Sequence, residues 1–494
     1  MHVLAAVVAL RYNPRMQNDT IAAIATPPGI GGVGVIRVSG ADAFTLVLPL
    51  FRRSGIGNAA GTLPPSHQLT YGRILDPVTQ ELLDEVLVAF MRAPHTYTRE
   101  NVVEIQGHGG PLVLKRILRA VLAQGARMAN PGVFTLRAFL NGRLDLAQAE
   151  AVMDLIGSET EASQRLALQQ LQGRLSVQVE EARNSILGAI ARIEVSIDFP
   201  EDDVPTPQVE ELLPLVATAQ QQVGALLQGS EQGRLYRQGV RTAIIGRPNV
   251  GKSSLLNALL RTDRAIVTPV AGTTRDTVEE VANLRGIPLH LIDTAGITPT
   301  VDPVEQIGVQ RSRAAAENAD VILLVYDGSE PLGEQDRRVS TELRALGFGL
   351  HSSEDQITTS YRRPVVIVVN KADQEQYIEQ TDLEADWPQS PIVTLSTLTG
   401  EGLSQLEETL AELVQAGKGL HNESVLVTSA RHQEALRRAA EHLLAAHSSL
   451  TQPLPLDFVS IDLRAAYSVL GEVTGETASD DLLDKIFSEF CIGK

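Results

Sequence analysis

The sequence predicts a multidomain protein of mixed α+β and α/β class, in which a domain with a doubly wound, mostly parallel sheet is inserted into a helical domain. Three features of the chain lead to this prediction. β-rich runs dominate its first quarter, helical periodicity occurs on both sides of a central region, and that central region alternates apolar strands with helical patterns. Fully apolar strands between helices are typical of a parallel sheet covered on both faces.

The chain has 494 residues, which is too long for one hydrophobic core. We expect residues 1–18 to be an extension that is either disordered or not translated, with Met16 as the alternative start. An N-terminal α+β domain follows at 19–135, and the first part of the helical domain at 136–236. The inserted α/β domain takes residues 237–420, and 421–494 complete the helical domain.

The N-terminal domain contains short β-rich runs and one amphipathic helix. The runs are Thr20–Thr26, Gly34–Val38 and Val86–Met91, and the helix, at Lys115–Ala123, has its apolar face formed by Leu114, Ile117, Leu118 and Val121. The segment Gly29–Gly34 satisfies the G-x-G-x-x-G fingerprint of dinucleotide-binding domains. A strand pattern follows it, however, where that fingerprint requires a helix, so we reject a Rossmann domain.

The helical domain is predicted from apolar residues that recur at helical spacing. Before the central region these are Leu168, Leu171, Leu175, Ile186, Ile190, Ile193 and Ile197, and a further helix is expected at Val209–Leu227. After the central region, one face is expected to contain Leu436, Ala440, Leu443, Leu444 and His447. Two helical stretches that flank another domain indicate an insertion into a single helical domain.

Composition excludes several classes of protein. The net charge of −18 argues against broad, non-specific nucleic-acid binding, which depends on neutralisation of phosphates by Lys and Arg. The single cysteine, Cys491, excludes a disulfide framework and a thiolate metal cluster within one chain. No apolar run is long enough to cross a membrane. We therefore expect a cytoplasmic protein without membrane association.

The central domain begins with a phosphate-binding pattern. Gly246–Ser254 fits G-x-x-x-x-G-K-[ST] and lies between an apolar strand and a helical pattern, which is the context that the pattern requires. Backbone N–H groups and the helix N-terminus face a polyphosphate in such a loop. Lys252 is expected to reach the outer phosphates and Ser253 to bind Mg²⁺.

Three further motifs follow in the order that a GTPase requires. Asp293-Thr294-Ala295-Gly296 ends a predicted strand, so that Asp293 can hold Mg²⁺ through water and the Gly296 N–H can sense the γ-phosphate. Asn370-Lys371-Ala372-Asp373 places a carboxylate where it can accept hydrogen bonds from guanine N1 and the 2-amino group, a pair of donors that adenine lacks. Ser396-Thr397-Leu398 supplies a backbone N–H for guanine O6.

A switch loop lies between the first two of these motifs, and in it Thr274 is the second predicted Mg²⁺ ligand. The complete set of predicted GTP contacts is Asn249, Val250, Gly251, Lys252, Ser253, Ser254, Thr268, Thr273, Thr274, Asp293, Thr294, Ala295, Gly296, Asn370, Lys371, Asp373, Ser396, Thr397 and Leu398. Ile297 stands where Ras-type enzymes carry the glutamine that orients water. Hydrolysis therefore needs another polar group and another source of positive charge.

At this point the chain resembles the MnmE (TrmE) family of tRNA modification GTPases, from about Asp19 to Lys494. The most specific stretches are Ala25–Gly29 with Gly31–Gly34, Gln106–Gly110, Arg137–Glu150 and Phe490–Lys494. The resemblance implies a homodimer whose GTPase domains pair across a bound K⁺ that replaces an arginine finger. The implied K⁺ ligands are Asn249, Thr268, Val270 and Thr273, and the implied catalytic residue, which orients water, is Glu305.

The same resemblance implies that the N-terminal domain is similar to a folate-binding module and binds 5-formyl- or methylene-tetrahydrofolate. The implied contacts are Arg37, Glu104, Arg143 and Lys494. Arg143 stands where the family often has Lys, which keeps the charge and changes its shape.

The implied function is a K⁺-stimulated GTPase that acts with the flavoprotein MnmG, in a heterotetramer, on the wobble uridine of certain tRNAs. It would add a carboxymethylaminomethyl or related aminomethyl-type group at carbon 5, with the one-carbon unit from tetrahydrofolate. Two alternatives remain open. One is a regulatory GTPase of ribosome assembly without modification chemistry, and the other is a folate-dependent transferase for which GTP is only regulatory.

Overall fold

A computed structural model of the chain describes residues 19–54, 63–198, 207–262, 280–293, 315–348, 363–415, 427–452 and 454–493. The predicted extension at 1–18 lies outside the described residues. The sequence at His351–Arg363 is polar and irregular and predicts a loop insertion, most of which also lies outside the described residues. Within these ranges the chain forms two β-sheets and a set of helices, which confirms the predicted fold class.

The first sheet has seven strands in the order β3-β4-β5-β6-β2-β1-β7. The strands are β1 (Ile21–Ile24), β2 (Gly31–Ser39), β3 (Phe51–Arg53), β4 (Leu69–Leu75), β5 (Leu82–Met91), β6 (Val102–Gly109) and β7 (Arg127–Met128). Neighbouring strands are antiparallel except for β1 and β7. The helices α1 (Ala43–Val47) and α2 (Pro111–Ala123) contribute buried residues to the same core.

The predicted amphipathic helix is confirmed as α2, whose buried residues include all four of the predicted apolar face. The rejected dinucleotide fingerprint runs into β2 and is followed by strand, as expected. An added Cβ on Gly34 would lie 2.4 Å from Leu114 Cδ1. This glycine therefore allows α2 to pack closely on the sheet.

The next helices are α3 (Val133–Leu140), α4 (Leu146–Ile156), α5 (Glu161–Leu171), α6 (Arg174–Asp198), α7 (Val209–Gln228) and α8 (Ser230–Gln238). Asp145 begins α4 with a capping box, because its carboxylate accepts a hydrogen bond from the Gln148 N–H at 2.8 Å and the Gln148 side chain accepts one from the Asp145 N–H. Along α6, Ile186, Ile190 and Ile193 are buried, as predicted.

The second sheet has six strands in the order β13-β12-β11-β8-β10-β9. In chain order its elements are β8 (Val240–Ile245), α9 (Lys252–Thr262), β9 (Glu280–Leu284), β10 (Ile287–Asp293), β11 (Val321–Asp327), α10 (Glu334–Ala345), β12 (Val365–Asn370), α11 (Gln380–Asp386), β13 (Ile392–Thr394) and α12 (Leu403–Gln415). Neighbouring strands are parallel except for β9, which pairs with β10 in antiparallel orientation. The sequence predicts five apolar strands in this region, and all five are present, as β8, β10, β11, β12 and β13. They were predicted at Thr242–Ile245, Leu289–Ile292, Val321–Val325, Val365–Val369 and Ile392–Leu395. Strand β9 was not predicted.

Three helices complete the described chain: α13 (Ala430–Thr451), α14 (Leu456–Thr474) and α15 (Asp480–Ser488). Buried residues of α6, α7, α13 and α14 form one core, so helices from both sides of the second sheet pack together, as predicted. Within the described residues, every helix is too short or too polar to cross a lipid bilayer.

The predicted apolar faces contain two errors. Leu443 is fully buried but its neighbour Leu444 is 65% exposed, because consecutive helical residues point about 100° apart and the buried face follows Leu436, Ala439 and Leu443. The second error is Leu168, which is 44% exposed. It belongs to α5, which ends at Leu171, so its face is not continuous with that of α6.

Two acidic residues one turn apart on α4 contact the chain on both sides of the inserted sheet. Glu150 forms a bidentate ion pair with Arg431, in which both oxygen–nitrogen distances are 2.9 Å. Its Oε2 also lies 2.6 Å from His432 Nε2. Asp154 accepts a hydrogen bond from Arg237 Nε at 2.8 Å. Arg237 lies just before β8, and Arg431 lies in the first turn of α13. Helix α4 thus binds both connections to the second sheet.

Candidate functional site

The loop between β8 and α9, residues 246–251, is here called the phosphate loop. It needs glycine at two positions, because an added Cβ on Gly246 would lie 2.4 Å from the Val325 carbonyl oxygen and one on Gly251 only 2.1 Å from Asn370 Nδ2. Gly251 also has a φ of +101°, which side-chain-bearing residues rarely adopt. Val250 between them is buried. The two glycines bring the phosphate loop close to β11 and β12.

The start of α9 has the chemistry of an anion site. Lys252 Nζ donates hydrogen bonds to the carbonyl oxygens of Gly246 and Arg247, at 2.9 and 2.8 Å, so the ammonium group lies over the phosphate loop. Ser253 and Ser254 are exposed in the first helical turn. A helix N-terminus with a cation above it fits a polyphosphate, and the exposed Ser253 hydroxyl is a suitable ligand for its Mg²⁺.

Asn249 has the left-handed φ of +65°, a conformation that asparagine tolerates better than most residues. This residue is part of the phosphate loop and is exposed. An amide oxygen there is a suitable ligand for a monovalent cation, and the predicted K⁺ site requires one at this position.

Asn370, at the end of β12, connects two loops. Its Nδ2 donates to the Val250 carbonyl oxygen at 2.8 Å, and its Oδ1 accepts from the Thr397 N–H at 3.1 Å. The side chain is nearly completely buried. Residues 370–373, here called the guanine loop, are therefore joined both to the phosphate loop and to the loop after β13.

Asp373 is oriented by Ser396, which is fully buried. The Ser396 hydroxyl donates to Asp373 Oδ1 at 2.5 Å, and Ser396 Oγ accepts from the N–H groups of Leu398 and Thr399 at 3.3 and 3.2 Å. The sequence predicted a backbone donor in this loop and did not predict the hydroxyl contact. These bonds hold a carboxylate at the end of the guanine loop, and a carboxylate can accept both N–H donors of guanine.

The structure adds a charged cluster that the sequence did not predict. Asp327, the last residue of β11, accepts a hydrogen bond from Lys371 Nζ at 2.5 Å and lies 3.8 Å from Arg247 Nη2. Burial alone raises the pKa of a carboxyl group, but hydrogen bonds from Lys371 and Ser329 outweigh it and hold the pKa of Asp327 below its ordinary value. The sequence did offer one signal for this cluster, because Asp327 is an acidic residue at the end of a strand that is otherwise almost entirely apolar.

Several predicted site residues lie outside the described residues. They are Thr268, Val270, Thr273, Thr274, Thr294, Ala295, Gly296, Glu305 and Lys494. The main chain of Asp293 is described at the end of β10, where it pairs with Ile244 of β8. The motif that Asp293 begins therefore starts beside the strand that leads into the phosphate loop.

The predicted folate contacts that the structure describes lie close together. Arg37 donates to Glu104 through Nε at 2.9 Å and to the Gly493 carbonyl oxygen through Nη1 at 3.3 Å. Both Arg37 and Arg143 stack on the Tyr97 ring, with guanidinium-to-centroid distances of 5.6 and 4.7 Å. The C-terminal segment thus reaches the first sheet, where residues far apart in sequence form one charged and aromatic cluster.

Within this cluster the two arginines have different environments. Arg37 is half-buried and paired with Glu104, whereas Arg143 is exposed and donates to the Tyr97 carbonyl oxygen at 3.0 Å. Arg143 is therefore the guanidinium that can meet an anionic tail, and Tyr97 offers an aromatic face. Tyr97 was missed by sequence reasoning, because a lone aromatic residue in a turn gives no functional signal.

Among solved structures, the G domain of the T. maritima FeoB iron transporter is 27% identical and covers 35% of this chain and 97% of that chain, with a TM-score of 0.25. A structure of Era from Aquifex aeolicus is 26% identical and covers 41% of this chain and 66% of that chain, also with a TM-score of 0.25. These scores are too low to support an inference about this chain.

Comparison with known sequences gives higher identity over nearly the whole chain. The tRNA modification GTPase MnmE of Alkaliphilus oremlandii is 45% identical across 97% of this chain and 99% of its own length. The MnmE of Levilactobacillus brevis is 46% identical across 96% and 98%. A family model described as the MnmE helical domain matches residues 146–491, and one described as the N-terminus of the GTP-binding protein TrmE matches 20–143. The chain belongs to the MnmE family of tRNA modification GTPases.

Proposed function

We propose that this protein is a K⁺-stimulated GTPase that acts with the flavoprotein MnmG, in a heterotetramer, on tRNA. It adds a carboxymethylaminomethyl or related aminomethyl-type group at carbon 5 of the wobble uridine, with a one-carbon unit from 5-formyl- or methylene-tetrahydrofolate. The protein acts as a homodimer in the cytoplasm. The observation that best supports this proposal is the joining of the phosphate loop and guanine loop by Asn370.

The nucleotide part of the proposal follows from the orientation of polar groups. Lys252 and the N-terminus of α9 favour the phosphates, and Asp373, oriented by Ser396, favours guanine over adenine. Asp293, Thr294, Ala295 and Gly296 are proposed to bind near the γ-phosphate, and Thr274 with Ser253 to hold Mg²⁺.

Hydrolysis requires positive charge near the phosphates and an oriented water molecule. K⁺ bound by Asn249, with Thr268, Val270 and Thr273, supplies that charge, and Glu305 is proposed to orient the water. Asn249 fits this role because its exposed amide lies in the phosphate loop itself.

The expected result in steady-state GTP hydrolysis is a strong preference for K⁺ over Na⁺ at equal ionic strength. Asn249→Ala should lower the rate in K⁺ by about 10²-fold, the order seen when one preorganised electrostatic group is removed, and should leave the slow Na⁺ rate almost unchanged. Both rates are measured on full-length protein at saturating GTP.

A suitable control is Asn257→Ala, which removes an exposed amide from α9, the helix that follows the phosphate loop. It should keep the wild-type preference for K⁺. Equal wild-type rates in K⁺ and Na⁺ would contradict K⁺ stimulation and leave a GTPase that uses another source of charge.

The folate part predicts that Arg143→Gln weakens binding of 5-formyl-tetrahydrofolate by about tenfold or more. The variant removes a guanidinium whose charged hydrogen bond is worth about 1.5–3 kcal/mol, and it also removes the stack on Tyr97. Isothermal titration calorimetry gives the dissociation constant. Arg116→Gln, on α2, removes an equally charged residue that pairs with Glu81, and it should bind like wild type. Equal weakening by both variants would argue against a site at Arg143.

A further inference from the structure

The carboxylate of Asp327 is buried where the phosphate loop and the guanine loop approach each other. Its Oδ2 accepts from Lys371 of the guanine loop at 2.5 Å and lies 3.8 Å from Arg247 of the phosphate loop. Its Oδ1 accepts from the N–H and the hydroxyl of Ser329 at 3.1 and 2.6 Å. Both oxygens are therefore held in place, and the side chain is only 4% exposed.

Lys371 needs such an anchor because its backbone is strained. Its φ of +68° is left-handed, and this conformation is energetically unfavourable for a residue with a Cβ. The Lys371 carbonyl oxygen also accepts from the Gln374 N–H and from Gln376 Nε2, at 2.9 and 2.8 Å. The strained residue is thus tied down at both its side chain and its carbonyl group.

Lys371 lies between the two residues that define the guanine loop. Asn370 before it bonds to the phosphate loop, and Asp373 two positions after it is the predicted guanine acceptor. A shift of Lys371 would move Asn370 and Asp373 relative to each other. Restraining Lys371 therefore restrains the distance between the phosphate contacts and the base contacts.

Arg247 extends this restraint to the phosphate loop. Its guanidinium lies 2.7 Å from Glu330 and 3.3 Å from Asp336, in addition to its approach to Asp327. Asp336 also caps α10, because its carboxylate accepts from the Gly333 N–H at 3.0 Å. The cluster fixes the phosphate loop against the connection from β11 to α10.

We propose that Asp327 is a positioning residue for guanine nucleotides, which acts through Lys371 to hold the guanine loop in its binding conformation. This inference rests on the proposed GTP site and adds to it a residue that none of its four motifs contains. The charge on Asp327 is required, because a neutral side chain in this buried position does not balance the Lys371 ammonium that contacts it.

The test is Asp327→Asn in the full-length protein, which keeps the shape of the side chain and removes its charge. The dissociation constant of the fluorescent nucleotide mant-GDP should rise about tenfold, in line with the loss of one charge-assisted hydrogen bond. The KM for GTP should rise in parallel, while kcat at saturating GTP stays within about twofold of wild type, because the loss affects binding of substrate and transition state alike.

A double-mutant cycle separates positioning from general damage to the fold. If Asp327 acts through Lys371, then Asp327→Asn should weaken mant-GDP binding by less than about twofold when Lys371→Met is already present. If the fold-changes that the two single variants cause in the dissociation constant simply multiply in the double variant, the two residues act independently and the inference is overturned. An unchanged dissociation constant in the folded Asp327→Asn variant would also overturn it.

Glu342→Gln is the matched control, since it removes a carboxylate from an exposed ion pair with Arg338 on α10. It should bind mant-GDP like wild type. Wild-type protein that fails to bind mant-GDP would overturn the GTP site and this inference together. Normal wild-type binding with no effect of Asp327→Asn would overturn the inference alone.

Discussion

Asp373→Asn is expected to change the base preference of this protein from guanine to xanthine. The carboxylate accepts the N1–H and the 2-amino group of guanine, whereas an asparagine amide opposes one of these donors with its own N–H. Xanthine carries a carbonyl in place of the 2-amino group, and that carbonyl can accept from the amide. The amide oxygen still accepts from one donor, so one hydrogen bond to a charged acceptor is lost, and its roughly 1.5–3 kcal/mol corresponds to about 10–10²-fold weaker GTP binding.

The measurement is competition of GTP and xanthosine triphosphate against mant-GDP in the wild type, and against the corresponding mant-xanthosine diphosphate in the variant. Ser396 should keep the new side chain in place, because its hydroxyl, now 2.5 Å from Asp373 Oδ1, can donate equally to an amide oxygen. Asp382→Asn, an exposed acidic residue in the first turn of α11, is the control and should keep the preference for GTP. Retained GTP affinity in Asp373→Asn would contradict the assignment of this residue to the base.

Glu150→Gln is expected to destabilise the helical core by about 3 kcal/mol, because it leaves the half-buried Arg431 and the fully buried His432 without their carboxylate. Burial raises the pKa of Glu150, but the charges and hydrogen bonds of His432 and Arg431 outweigh it and lower the pKa to about 2. The ordinary value is 4.5, and the difference corresponds to about 3 kcal/mol of stability at neutral pH. Calorimetric melting at pH 7 should show this loss as a lower transition temperature.

The pH dependence of this effect has a definite sign. Since the folded pKa lies below the unfolded pKa, the stabilisation is complete above pH 4.5 and is lost as the pH falls towards about 2. The difference in stability between wild type and Glu150→Gln should therefore shrink across this range. Glu434→Gln breaks an exposed pair with Arg437 and should lower the transition temperature far less than Glu150→Gln does. Equal losses in the two variants would contradict a buried anchor at Glu150.

Local sequence was sufficient for the elements with strong periodicity or with a motif. Helix α2 and the strands β8, β10, β11, β12 and β13 were predicted because an apolar run or an amphipathic repeat is a local signal. Strands β4, β6 and β9 were not predicted, since all three contain polar residues and β4 and β6 also contain glycine. Their strand conformation depends on pairing with neighbours. Leu444 was misplaced because a run of apolar residues does not show which of two adjacent leucines faces the core.

The sequence by itself determined the order of the four nucleotide motifs, the insertion of one domain into another and the family of the protein. Each of these is encoded in residue types at short spacing. Only the tertiary structure decided that Asp327 contacts Lys371, that Ser396 orients Asp373, that Tyr97 stacks on Arg143, and that Glu150 binds Arg431. Each pair joins residues from 23 to 281 positions apart. Such contacts form only when separate elements pack together, so no local pattern in the sequence encodes them.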